Sequence, residues 1–129
     1  MPTKKELSIV LPNKPGTLAA ITAALAKAKV NLLAVDASGG FEYNIVKLVP
    51  DNAAKAKAVL KRRGLDVGET NVLCVYAADK PGALAGIAGR LGRAKININY
   101  LYGTGDKRAG KEMIVIHASD PRKASQLLG

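Results

Sequence analysis

At 129 residues the chain has the length of one domain, and two halves of about 65 residues would each lie near the small end of what holds a core alone. With 48% apolar and 23% charged residues the composition excludes disorder, and no apolar run reaches the roughly 20 residues that a membrane span needs. The net charge of +10 invites a nucleic-acid reading, but the cations Lys55, Lys57, Lys61, Arg62, Arg63, Arg90 and Arg93 spread along helices, and the run Lys61-Arg62-Arg63 falls at a helix C-terminus, where it offsets the dipole. The segment Met1 to Leu7 has charge but no apolar h-region, so no secretory signal is expected. A lone cysteine, Cys74, excludes an internal disulfide and fits a reducing cytoplasm; within its apolar strand it reads as packing.

In chain order, Leu7, Ile9 and Leu11 alternate with Ser8 and Val10 and predict a strand with one inward face. Asn13-Lys14-Pro15-Gly16 stops it, with Pro15 suited to the first turn of the helix that follows. Leu18, Ile21, Leu25 and Ala28 form the apolar stripe of that helix. A second strand runs from Asn31 to Asp36, Ser38-Gly39-Gly40 reads as a hairpin turn, and a third strand spans Phe41 to Val49. Pro50-Asp51-Asn52 opens a helix over Ala53 to Arg63, stopped by Gly64, and Leu65-Asp66-Val67 reads as a short fourth strand.

The chain then repeats itself. With Gly82 laid on Gly16, Asn13-Lys14-Pro15-Gly16-Thr17-Leu18-Ala19 falls on Asp79-Lys80-Pro81-Gly82-Ala83-Leu84-Ala85 without a gap. Ile21 meets Ile87, Leu25 meets Leu91, Ala28-Lys29 meets Ala94-Lys95, and Val30-Asn31-Leu32 meets Ile96-Asn97-Ile98. Such register points to duplication. The second copy continues with a strand over Asn97 to Tyr102, a longer Gly-rich loop over Gly103 to Gly110, a strand over Glu112 to Ala118, and a helix begun by Asp120-Pro121. The chain ends at Gly129, leaving the second unit without a counterpart of Leu65 to Val67. The reading is therefore α+β: two ferredoxin-like βαββαβ units, over residues 1–69 and 70–129, with antiparallel sheets side by side and helices on one face.

A strand, then Asn/Asp-Lys-Pro-Gly-x-Leu, then an apolar helix ending in Ala-Lys-Val/Ile-Asn resembles the ACT domain, a regulatory amino-acid-binding module, and it occurs twice. The resemblance covers nearly the whole chain and is to free-standing tandem ACT proteins without a catalytic domain. It implies an amino acid or related metabolite as ligand and a metabolic enzyme as the regulated partner. The two small cores, a sheet face carrying Val10, Cys74 and Tyr76 and the uncapped edge of the second copy predict a homodimer, and the lone cysteine predicts the cytoplasm. The resemblance also implies that the strand-to-helix loop of one domain and the second strand of a facing domain wall the ligand. Carried over by position, the contacts are Asn13, Lys14, Pro15, Gly16, Thr17 and Leu18 with Asp79, Lys80, Pro81, Gly82, Ala83 and Leu84 from the loops. Asn31, Leu32, Asn97 and Ile98 come from the second strands, with Leu33 and Asn99 beside them.

The chemistry suits this assignment. Unpaired N–H groups and the partial positive charge at a helix N-terminus receive a carboxylate. Gly16 and Gly82 let a ligand approach the backbone, and Asn13 or Asp79 can accept a hydrogen bond from an ammonium, Asp79 more strongly because it is charged. Asn, Pro and Gly equally favour a strand-to-helix turn that holds no ligand, Asn31 and Asn97 also suit a strand start, and Tyr100 and Tyr102 suit packing. No cofactor is expected, and His117 stands alone without metal-ligand spacing. Gly103-Thr104-Gly105-Asp106-Lys107 lacks the spacing of a phosphate loop.

An enzyme is not expected, because no serine–histidine–acid set and no second histidine is present. An acylphosphatase would need an arginine-bearing anion loop after the first strand, where lysine, proline and glycine stand. The alternative is a ferredoxin-like nucleic-acid-binding protein using its basic surface. Such modules stack bases on aromatics of the central strands, and here Phe41 and Tyr43 are only a fragment of that platform.

Overall fold

The structure is a computed structural model that describes residues 3–106 and 110–128, with residues 105 and 106 described by backbone alone. Lys107, expected in the Gly-rich loop, lies outside the described residues. The chain divides into two compact units, one spanning Lys5–Thr70 and the other running from Asn71 onward, joined by the first residues up to Lys4.

The first unit is built on β1 (Thr3–Pro12), α1 (Thr17–Lys27), β2 (Leu32–Gly39), β3 (Tyr43–Pro50) and α2 (Ala53–Arg62). β3 pairs antiparallel with β1 on one side and β2 on the other. Alternation sends Leu7, Ile9 and Leu11 of β1, with Val46 and Leu48 of β3, to the face covered by both helices. There they meet Ile21 and Leu25 of α1 and Ala56, Val59 and Leu60 of α2. Burying each of the leucines contributes about 1.5–3 kcal/mol, and together they hold two helices that are too short to persist alone.

The second unit repeats the plan with β4 (Gly68–Ala78), α3 (Ala83–Arg93), β5 (Ile98–Asp106), β6 (Lys111–Ala118) and α4 (Pro121–Leu128). β6 pairs antiparallel with β4 and β5. Its core is Leu73, Val75, Leu91, Ile96, Ile114, Ile116, Ala118 and Ala124. The copies share even their irregularities. A register shift between Leu32 and Ala34 in β2 recurs between Ile98 and Tyr100 in β5. Both first helices close in the same way: Val30 N–H donates to Leu25 O and Lys29 N–H to Ala26 O, as Ile96 does to Leu91 and Lys95 to Gly92. That closure needs a left-handed residue, and it falls on Lys29 (φ 62°) and Lys95 (φ 59°), whereas α2 uses Gly64 (φ 80°) as expected.

Three expectations change. Leu65-Asp66-Val67 is not a strand: both apolar side chains pack against the first core while the backbone joins no ladder, and β4 begins at Gly68. An alternating triplet satisfies the inward pattern without pairing. Gly103 to Asp106 are not loop but the end of β5, paired with Lys111 to Ile114. Pro15 lies outside α1, as does Pro81 outside α3, because each is the second residue of a turn that precedes the helix.

Candidate functional site

Each strand-to-helix loop is a Pro-Gly turn with nearly the same geometry. Gly16 (φ 88°, ψ −10°) and Gly82 (φ 91°, ψ −11°) take the left-handed third position of a type II turn, the position that calls for glycine. Thr17 N–H closes the first turn on Lys14 O at 3.4 Å, and Ala83 N–H closes the second on Lys80 O at 3.3 Å. Where a Cβ would stand on either glycine, no atom lies within 4 Å, so the approach to the backbone is open.

These two helix starts differ from the other two. α2 is capped by Asn52, whose side chain accepts from Lys55 N–H, and Asp120 caps α4 by accepting from Lys123 N–H. α1 and α3 have no side-chain cap. Their first intrahelical bonds are Ala20 N–H to Gly16 O and Gly86 N–H to Gly82 O, so the N–H groups of Leu18 and Ala19, and of Leu84 and Ala85, precede the helical ladder. Among the described residues these form two anion-receptive helix ends. Beside them Leu18 and Leu84, the first residues of the expected core stripes, are 38% and 42% exposed and offer apolar surface next to the turn.

The side chains around the two turns diverge. Asn13 Nδ2 donates to Phe41 O (3.1 Å) and Gly40 O (3.4 Å), and its Oδ1 accepts from Asn44 Nδ2 (3.2 Å). Thr17 Oγ1 donates to Pro12 O at 2.8 Å and also approaches Lys14 O. The first loop is thereby tied to the β2–β3 hairpin. The backbone repeats in the second loop, where Asp79 N–H donates to Gly110 O (3.0 Å) as Asn13 N–H does to Glu42 O (2.8 Å). The side chains do not: Ala83 lacks the hydroxyl of Thr17, and by register Glu112 replaces Asn44. Among the described residues the Asp79 carboxylate has no hydrogen-bond partner.

Within a unit the second-strand residues are not brought to the loop. β3 descends from Tyr43, paired with Pro12 at the loop end, to Pro50, paired with Leu32 at the other. Seven residues of strand, about 23 Å, separate them. Asn31 is fixed there by its backbone, with N–H to Asp51 Oδ1 and O accepting from Asp51 N–H. Asn97 makes the same clasp with Ser119. Leu32 and Ile98 pack against their cores. The second unit adds a polar string that the first lacks: Asn97 Nδ2 donates to Asn99 Oδ1, and Asn99 Nδ2 lies 3.1 Å from His117 Nδ1. His117 in turn stacks on Tyr100 at 4.8 Å.

Reading residues along the chain missed Asn44, Glu112 and the Thr17 hydroxyl, since their meaning depends on cross-strand register. Phe41, 99% exposed, lies in the β2–β3 turn and Tyr43 at the first position of β3, beside a cleft of about 380 Å³ shared with Pro12, Asn13, Lys14 and Glu42. That placement is a hairpin tip and not a central-strand stacking platform. Among the described residues no group of three or more metal-ligating side chains is found, and no helix is long and apolar enough to cross a membrane.

A family model described as an ACT domain pair matches residues 2–128. Protein BT0572 from Bacteroides thetaiotaomicron is 31% identical with a TM-score of 0.90, over 98% of this chain and 86% of that one. The ligand-free regulatory subunit of aspartate kinase from Thermus thermophilus is 14% identical with a TM-score of 0.73, over 98% and 95% of the two chains. The corresponding subunit from Thermus flavus is 16% identical with a TM-score of 0.68, over 96% and 89%. At that identity the two subunits speak for the fold. No curated protein matches the chain.

Proposed function

The chain belongs to the family of paired ACT domains, and from that premise we propose that it is a non-catalytic regulatory protein that binds an amino acid or a closely related metabolite. One observation carries the reading: two of four helices begin uncapped behind a left-handed glycine, in the same geometry in both units, while the other two are capped by their own side chains. A missing cap costs about 1 kcal/mol, and a ligand carboxylate at that position offsets the loss. Leu18 or Leu84 then meets the apolar part of the molecule. The opposite wall comes from the second strand of another domain, around Asn31 and Leu32 or Asn97 and Ile98, because a unit's own second strand begins at the far end of its sheet.

In this reading the other domain belongs to a second copy of the chain, and the regulated partner is an enzyme that makes or uses the bound metabolite. Sedimentation at tens of micromolar is expected to show a dimer. The ligand is identified by a thermal-shift screen of the twenty amino acids and related metabolites. A compound at 100 times its dissociation constant adds about 2.7 kcal/mol to the folded state, which raises the melting temperature by several degrees. A flat response across the whole panel contradicts the reading.

A further inference from the structure

We infer that the helical layer of the second unit, α3 with α4, is a labile cover that opens from its sheet as one piece while the first unit stays closed. The inference stands apart from the ligand reading, because it concerns which part of the molecule changes state, whatever signal acts on it.

The helices α1 and α3 have the same backbone and different sequences. Their ladders start alike, with Ala20 N–H to Gly16 O and Gly86 N–H to Gly82 O both at 3.0 Å. They also close alike, with Ala28 N–H to Ala24 O and Ala94 N–H to Arg90 O both at 3.2 Å. With Gly82 laid on Gly16, Ala20, Ala23 and Ala26 of α1 fall on Gly86, Gly89 and Gly92 of α3. Each glycine in place of an alanine shifts a helix about fivefold toward the open chain, since glycine has more backbone freedom to lose. Two of the three lie inside α3 and the third in its last turn, so together they weigh about 30- to 100-fold against it. Packing does not ask for them. A Cβ on Gly86 or Gly92 would meet no atom within 4 Å, and on Gly89 it would meet the flexible guanidinium of Arg93 at 3.3 Å.

The fastening to the sheet is lighter as well. Each helix sets one leucine almost wholly into its core, Leu25 and Leu91, and the difference lies around it. Ile21 is buried, and its counterpart Ile87 only in part. Ala56, Val59 and Leu60 of α2 are buried, whereas α4 buries Ala124 and leaves Leu127 and Leu128 partly covered. The sheet beneath does not share this looseness: Leu73, Val75, Ile114 and Ile116 are buried nearly as deeply as Leu7, Ile9, Val46 and Leu48. The two helices of the loose layer are tied to each other. Arg90 Nη2 donates to Leu127 O and Lys123 Nζ to Ala94 O at 3.4 Å, both through the C-terminal end of α3. A helix that is weak in itself, lightly seated and tied to its neighbour leaves the sheet together with that neighbour, as a cooperative local opening. Anything that binds only the closed layer holds it shut by mass action, which makes the layer a point of control over the second unit.

The test is native-state amide hydrogen exchange on the full chain, read by NMR and corrected for intrinsic rates. Leu91 and Arg90 of α3 are expected to exchange about 30- to 100-fold faster than their counterparts Leu25 and Ala24 of α1. Ala124 of α4 shares the α3 rate, while Leu73, Val75, Ile114 and Ile116 stay slow. Gly86→Ala combined with Gly92→Ala slows exchange about 10- to 25-fold across α3 and, through the ties, at Ala124 as well. Both methyl groups enter open space, and circular dichroism checks the folding of the variant. Equal protection of α1 and α3 in the parent overturns the inference, and so does a slowing in the double variant that stops short of Ala124.

Discussion

The first and second strand-to-helix loops share a backbone and differ in almost every side-chain interaction. The turn, the left-handed glycine, the uncapped helix and the bond to the neighbouring hairpin recur within about a tenth or two of an ångström. Asn13, Thr17 and Asn44 then spend their side-chain hydrogen-bonding capacity inside the first unit, while among the described residues the side chains of Asp79, Ala83 and Glu112 make no such bonds. The contrast teaches that duplication preserves what the fold needs, the turn and its core, and frees one copy of the rest to change. Both helix starts stay uncapped; among the described residues the difference lies in the side chains, which bond within the unit at Asn13 and Thr17 and make no such bond at Asp79.

If the shared part is structural, equal insults should cost the two units equally. Leu25→Ala and Leu91→Ala remove equivalent side chains that are almost wholly buried, and each should lose about 2–5 kcal/mol in denaturant unfolding. A large difference between them would break the equivalence of the cores. If the divergent part is functional, Gly82→Asp should weaken amino-acid binding by about 100-fold through bulk and like charge, and Gly16→Asp should not, as read by calorimetry. Both glycines have positive φ, so each variant also carries strain of about 1–2 kcal/mol, softened because aspartate tolerates that region better than most residues.

The tie between the first loop and its hairpin is tested by stability. Asn13→Ala removes three hydrogen bonds and should cost about 1–2 kcal/mol, whereas Asp79→Ala should cost little. Equal losses would mean that the second loop is tied as firmly as the first. Smaller still, Lys29→Gly and Lys95→Gly relieve the same left-handed strain and should each stabilise by about 0.5–1 kcal/mol.

The smallest difference is electrostatic. Lys57 donates to Glu69 at 3.0 Å, and that hydrogen bond and charge hold the Glu69 carboxyl below its ordinary range. A depressed folded value means that the pair helps above the unfolded pKa and is lost as pH falls through the folded one. By register the second unit has Ser125 and Thr3 at these positions. Carboxyl NMR should therefore show Glu69 moving up toward the ordinary range in Lys57→Ala.

Much of this was legible in the chain. The repeat, the Pro-Gly turns, the apolar stripes and the stop at Gly64 are local patterns, and local patterns survive folding. The errors came where a pattern has two physical solutions. Leu65 and Val67 face inward without joining a ladder, and Gly103 to Asp106, for all their glycine, extend β5 because Lys111 to Ile114 offer them partners. The side-chain surroundings of Asn13 and Asp79 were not readable, because they depend on residues such as Asn44 and Glu112, which lie far along the chain and become neighbours through strand register.

The most direct test of the account is a backbone amide NMR titration of the parent chain with the amino acid that stabilises it most. The amides of Gly82, Leu84 and Ala85 are expected to move first and saturate together, while those of Gly16, Leu18 and Ala19 stay in place. Equal movement at both loops would contradict the functional contrast between them, and movement confined to residues away from both would show that the loops are only turns.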